Sequence, residues 1–139
     1  DKNWRKYMNP SLSKDIVFNH LYIDWDSDII LVEGVFDAIK AGPNSIPLLG
    51  STLRENSKLF QEIVKNDAAI FVALDPDAEK KTLRMIKTLL SYGIETYKVD
   101  ISGYEDVGEM NKEEFLKRKE VAVPINPESF MMEEALNRL

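Results

Sequence analysis

Ala69-Ile70-Phe71-Val72-Ala73-Leu74-Asp75-Pro76-Asp77 decides the fold, together with its earlier counterpart Ile29-Ile30-Leu31-Val32-Glu33-Gly34-Val35-Phe36-Asp37. Each stretch is an unbroken apolar run that ends in carboxylates. A continuous run of this kind is the pattern of a strand buried on both faces, as in a parallel sheet. Ligands of such sheets bind beyond the carboxyl ends of the strands. Buried strands usually end in bland turns, whereas carboxylates converging at that edge are the usual means of holding a divalent metal ion.

Working outward, the pattern is regular from Asp28 onward. Val35 to Ala41 reads as a short helix closed by Gly42-Pro43. Ile46 to Leu49 is a second strand. Thr52 offers an N-cap for a helix reaching about Lys65, with Leu59, Phe60, Ile63 and Val64 at helical spacing. Ile70 to Leu74 is a third strand. A helix from about Ala78 to Tyr92 follows, with Leu83, Ile86, Leu89 and Leu90 on one face, and Gly93 stops it. Ile94 to Val99 is a fourth strand, followed by a loop carrying Asp106 and Glu109. Residues 112–119 and 127–138 read as helices. The second has a stripe of Met131, Met132, Ala135, Leu136 and Leu139, expected to pack on the core.

Strands alternating with helices predict the α/β class: a four-stranded, mainly parallel sheet with right-handed crossovers and helices on both faces. Residues 28–119 form this domain and residues 120–139 a C-terminal helical segment. Residues 1–27 read as an N-terminal extension, basic through Lys2, Arg5, Lys6 and Lys14, with Trp4 and Tyr7 interleaved. Within it Asn9-Pro10-Ser11 reads as a turn, and Ile16-Val17-Phe18 and Leu21-Tyr22-Ile23 as short strand pieces.

The composition narrows the chemistry. A chain of 139 residues is one domain by size, and 44% hydrophobic with 30% charged residues is an ordinary globular balance. No apolar run approaches the roughly 20 residues that span a membrane, and no signal-peptide pattern opens the chain. Cysteine is absent, which removes disulfides and thiolate metal sites and points to a reducing, cytoplasmic location. With a single His20, zinc is disfavoured, and a metal here would be held by oxygen, as Mg²⁺, Mn²⁺ or Ca²⁺ are. A net charge of −6 argues against a general nucleic-acid binder, since phosphate contacts need Lys and Arg. It is compatible with an acidic catalytic module whose substrate is gripped by metal or by another domain. A start at Asp1 rather than Met suggests a piece of a longer protein.

Asp75 and Asp77 are two apart, a spacing that puts both on one face of an extended segment, and Pro76 favours extended geometry before it. Two such carboxylates repel, and each raises the pKa of the other unless a cation sits between them. The plainer alternative is an Asp-Pro turn with Asp77 as N-cap of the next helix. Gly34 permits a tight exit from the first strand. Asp37, four residues after Glu33, lies one turn into the following helix, where it can face the same crevice. Asp106-Val107-Gly108-Glu109 follows the fourth strand and reaches the same edge, unless it is only a solvated loop. Lys80, Arg84 and Lys87 share a helix face, with Lys81 on a neighbouring one. They are a solvated face or a basic strip for a phosphate backbone, with Arg54 a further phosphate contact. Asp24-Trp25-Asp26-Ser27-Asp28 lacks the Gly and the bidentate Glu of a calcium loop and reads as a polar loop. Neither a GxxxxGK[ST] nor a GxGxxG loop is present, and one His builds no Ser-His-Asp triad.

These residues carry a family likeness. A strand ending in Glu33-Gly34 with Asp37 beyond it resembles the first motif of Toprim domains, and a later strand ending in Asp75-Pro76-Asp77 resembles their second. Bacterial and phage DNA primases, type IA and II topoisomerases and some small nucleases share this module. Val32 to Ala38, Pro47 to Leu53 and Ala73 to Ala78 look most like primases, particularly phage-type ones, and Asp106 to Met110 resembles their next acidic segment. The likeness covers roughly residues 28–119. It implies a Rossmann-like Toprim fold binding Mg²⁺ or Mn²⁺ through Asp75 and Asp77. Glu33 would be a metal ligand or general acid/base, and Asp37 and Asp106 supporting acidic residues of the metal site. The implied activity is metal-dependent nucleotidyl transfer, joining ribonucleotides into RNA primers for DNA replication. Its partners would be single-stranded DNA template, nucleoside triphosphates and a replicative helicase or other domains of the parent protein, with no membrane. A Toprim-family nuclease and a non-catalytic nucleic-acid assembly module are the alternatives. An Asp-x-Asp phosphatase fits less well, because its nucleophilic pair belongs after the first strand. Pro76 and Glu79-Lys80 depart from the Gly and Ala-Gly of many bacterial primases, as does Val107 where Pro is frequent.

Overall fold

Burial follows the two apolar runs. The computed structural model describes residues 22–138. The basic stretch, the Ile16–Phe18 strand piece and His20 lie outside the described residues, as does Leu139. Strands β1 (Ile29–Val32), β2 (Ser45–Pro47), β3 (Ile70–Val72) and β4 (Thr96–Lys98) form one sheet in the order β2-β1-β3-β4. All neighbouring pairs are parallel, with Leu31 opposite Ile46 on one side and Val72 on the other. The helices are α1 (Val35–Ala41), α2 (Lys58–Asn66), α3 (Glu79–Ser91), α4 (Lys112–Val121) and α5 (Pro127–Asn137). This is the α/β, Rossmann-like architecture expected.

Side-chain alternation along the strands builds two cores. Ile29, Leu31, Ile70 and Val72 pack with Phe60 and Ile63 of α2 and with Met85, Ile86 and Leu89 of α3. Ile30, Val32, Phe71 and Ala73 pack on the opposite face with Ala38 and Ala41 of α1 and Phe115 of α4. Each fully buried aliphatic side chain stabilises the sheet by about 1.5–3 kcal/mol. Pro47 is tolerated because β2 is an edge strand. Gly93, at φ +74°, ends α3 in a conformation that favours glycine.

Several boundaries differ from the sequence reading. The N-cap of α2 is Ser57, not Thr52: Ser57 Oγ accepts from Phe60 N at 3.2 Å. Leu53 is buried in the first core, so residues 52–56 form a plug before the helix rather than its first turn. Tyr22 and Ile23 lie outside any strand. The largest correction concerns α5. Its stripe does not enter the core, since Met131, Met132 and Leu136 are 40%, 66% and 60% exposed. What docks this segment is Phe130, packed on the first core, with an ion pair from Lys87 to Glu134 at 3.6 Å.

Candidate metal-binding site at the carboxyl edge of the sheet

The strand order creates a switch point. From β1 the chain leaves by α1 to β2 on one side, and returns by α2 to β3 on the other side of β1. A crevice forms where neighbouring connections diverge, beyond the carboxyl ends of β1 and β3. Glu33 directly follows β1, and Asp75 follows β3 after Ala73-Leu74. The two acidic signatures therefore flank one crevice.

Asp75 has the most unusual environment. Its backbone is extended (φ −58°, ψ 146°), and its carbonyl accepts from Ala78 N at 2.9 Å, closing a 3₁₀ turn over Pro76–Ala78. Its Oδ1 is buried and has no hydrogen-bond partner among the described residues. Burial first, then the negative charges of Asp37, Glu33, Asp106 and Asp77, raise its pKa from 3.8 to about 6. The 3₁₀ turn changes the expected role of its neighbour. Asp77 lies within the turn and is exposed, so neither the extended two-residue spacing nor the N-cap role holds for it.

The other carboxylates are engaged. Both Glu33 oxygens lie 3.3 Å from Lys81 Nζ on the first turn of α3. Asp37 is buried, and its carboxylate accepts two backbone N–H groups: Gly34 N at 3.0 Å and Gly108 N at 2.8 Å. It clamps the loop after β1 to the loop after β4. Asp106 Oδ1 accepts from Glu109 N at 2.9 Å and caps the 3₁₀ turn Val107–Glu109. Gly108 is a residue that sequence reasoning gave no role. A Cβ there would stand 3.1 Å from Asp37 Oδ1 and 3.2 Å from Asp106 Oδ1. Gly34, by contrast, has ordinary extended backbone at φ −131°, so no conformational need for glycine exists there.

The basic strip is broken up. Lys81 turns to Glu33 and Lys87 to Glu134, while Lys80 and Arg84 remain exposed on α3. Arg54 is exposed too, with Nε 3.4 Å from Thr52 Oγ1. Asp24 belongs to a local turn, accepting from Ser27 Oγ at 2.8 Å, as a polar loop should. A cleft of about 200 Å³ opens between the ends of β3 and β4, lined by Asp75, Pro76, Thr82, Lys98 and Ser102 among others.

The donors at this edge are oxygens, which suits a hard divalent cation. Among the described residues no three acidic or histidine side chains form a ready cage for one ion. Mg²⁺ does not need one, because it keeps several waters and binds through one or two carboxylates plus substrate phosphates. The orphaned Asp75 oxygen fits such a role. An ion beside it would supply the missing partner and offset the repulsion that raises its pKa.

No protein-family model matches the chain, and no curated protein matches it. Among solved structures it is similar to the Aquifex aeolicus primase, crystallised as its zinc-binding and RNA polymerase domains. The likeness has a TM-score of 0.60 and 26% identity, over 76% of this chain and 28% of that one. The chain thus spans less than a third of that structure. The chain is an α/β domain with a primase-like fold.

Proposed function

We propose that this chain carries the Toprim catalytic site of a DNA primase, with residues 28–119 as the catalytic unit. The observation that carries the reading is Asp75: a carboxylate at the switch point with a buried, unpartnered oxygen, surrounded by four other carboxylates. Its fold context is 26% identical to a primase over 76% of the chain. In this reading Asp75, with Asp77 beside it and Glu33 across the crevice, holds Mg²⁺ or Mn²⁺. The bound ion would neutralise charge on the nucleoside triphosphate's phosphates. A Glu33 not held by the ion would instead be the group suited to accept a proton from an attacking 3′-hydroxyl. Asp37 and Asp106 fix the loops that carry these groups. Exposed Lys80 and Arg84 extend along α3 as contacts for a phosphate backbone, and Arg54 is another.

The substrates proposed are ribonucleoside triphosphates on a single-stranded DNA template, in the cytoplasm, with a replicative helicase or further domains of the parent protein as partners. No helix among the described residues is long and apolar enough to cross a membrane. The test uses the parent protein with nucleoside triphosphates, a single-stranded template and labelled RNA in parallel. Asp75→Asn with Asp77→Asn should abolish primer synthesis while leaving the protein folded. Undiminished synthesis in that variant would overturn the reading. Metal-dependent cleavage of the labelled RNA, with no synthesis by the unaltered protein, would turn it into a nuclease.

A further inference from the structure

Lys81 is the ammonium group that meets the acidic cluster. Its Nζ stands 3.3 Å from both Glu33 oxygens, bridging them symmetrically. The pair is largely enclosed, with side chains 17% and 19% exposed. Lys80 and Arg84, on the same helix, are exposed and need no such contact to reach a phosphate. Lys81 is thus set apart from the basic strip by geometry: it faces inward, onto the carboxylate nearest the end of β1. A divalent ion at Asp75 and Glu33 would meet this ammonium at close range, and the two cations repel. A lysine head on a flexible four-carbon stem can swing away where a guanidinium fork is held by its geometry.

We infer that Lys81 is the resident counter-cation of Glu33, and that a divalent ion must displace it before Glu33 can coordinate metal. The inference rests on the metal-dependent reading above and deepens it. Lys81 is a positioning residue: it holds Glu33 at the mouth of the crevice and leaves it when the ion arrives. The displaced ammonium stays on the first turn of α3, beside exposed Lys80, where phosphate oxygens brought in with the ion would meet it.

Calorimetric titration of the folded chain with Mn²⁺ tests this. Lys81→Met keeps the length of the side chain and removes its charge. It should tighten Mn²⁺ binding about tenfold, the effect of removing a unit charge about 6 Å from a divalent ion in a water-like dielectric. The gain should vanish in the Glu33→Gln background. A purely structural lysine would give weaker binding when lost, not tighter. Binding by Lys81→Met where the unaltered chain binds too weakly to detect also supports the inference. Equal or weaker binding by the variant, with the unaltered chain binding normally, overturns it and leaves the metal reading intact. No binding by either at millimolar Mn²⁺ overturns both. If Lys81→Met does not fold, ammonium-selective NMR of the unaltered protein decides. The Lys81 Nζ resonance should move as Mg²⁺ saturates the site, and an unmoved resonance at saturation overturns the inference.

Discussion

Asp75→Asn should stabilise the metal-free protein at neutral pH and do little near pH 4. Folding raises the Asp75 pKa from 3.8 to about 6, through burial first and then the charges of Asp37, Glu33, Asp106 and Asp77. The folded state therefore keeps this proton to higher pH than the unfolded chain does. Its contribution to stability is full below about pH 3.8, is lost as the pH rises toward 6, and stays lost above that. The interval corresponds to roughly 3 kcal/mol. Asp75 is only half-buried, so solvent screening reduces this to about 1–2 kcal/mol. Asn keeps the shape and removes the charge. The expected gain above pH 7 is about 1–2 kcal/mol, or roughly 3–8 °C in melting temperature for a chain of this size.

Thermal and urea unfolding at pH 4 and pH 7.5, in EDTA, measure it. The comparison between the two pH values matters more than either alone, because a packing difference between Asp and Asn would appear equally at both. Saturating Mg²⁺ should then stabilise the unaltered protein and leave Asp75→Asn almost unmoved. A variant with the same stability change at both pH values would refute the account of Asp75 as a carboxylate held in charged, partly buried surroundings.

Further outcomes concern the scaffold around it. Asp37→Ala leaves the Gly34 and Gly108 N–H groups without their acceptor and should cost about 3 kcal/mol in urea unfolding; Gly108→Ala forces a Cβ against Asp37 and Asp106 and should cost about 1–3 kcal/mol. Asp67→Gly relieves a left-handed residue (φ 51°) at the C-terminus of α2 and should raise stability by about 0.5–1 kcal/mol in the same assay.

Much of this architecture is legible in the chain because its signals are local. Ile29–Val32 and Ile70–Leu74 read as strands buried on both faces, and both faces are covered. Strand alternation puts both acidic signatures at the carboxyl edge of the sheet, while the switch point that sets Glu33 and Asp75 at one crevice comes from the strand order β2-β1-β3-β4. The failures share a cause. Met131, Met132 and Leu136 lie at helical spacing, but spacing defines a face, not the surface that would cover it. The two-residue rule placed Asp75 and Asp77 on one face of an extended segment, yet the Ala78 N–H bond to the Asp75 carbonyl folds the chain into a 3₁₀ turn first. The Lys81–Glu33 pair joins residues 48 positions apart, and only the docking of α3 beside β1 creates it.

The sequence also presented five carboxylates of one kind, and the structure separates them. Asp37 and Asp106 give oxygens to backbone N–H groups, so their charges are matched to fixed donors and hold loops in place. Glu33 is matched by an ammonium. Asp77 is exposed to water. Asp75 is left with a buried oxygen that no group among the described residues satisfies. A carboxylate serving the scaffold loses stability when neutralised, because its donors are orphaned. One kept for a ligand gains stability, because the folded protein without the ligand bears its charge unrelieved. Neutralising Asp37 and neutralising Asp75 should therefore move stability in opposite directions at neutral pH. That opposition in sign would separate the carboxylates that build the crevice from the one proposed to hold a cation, before any assay of activity is run.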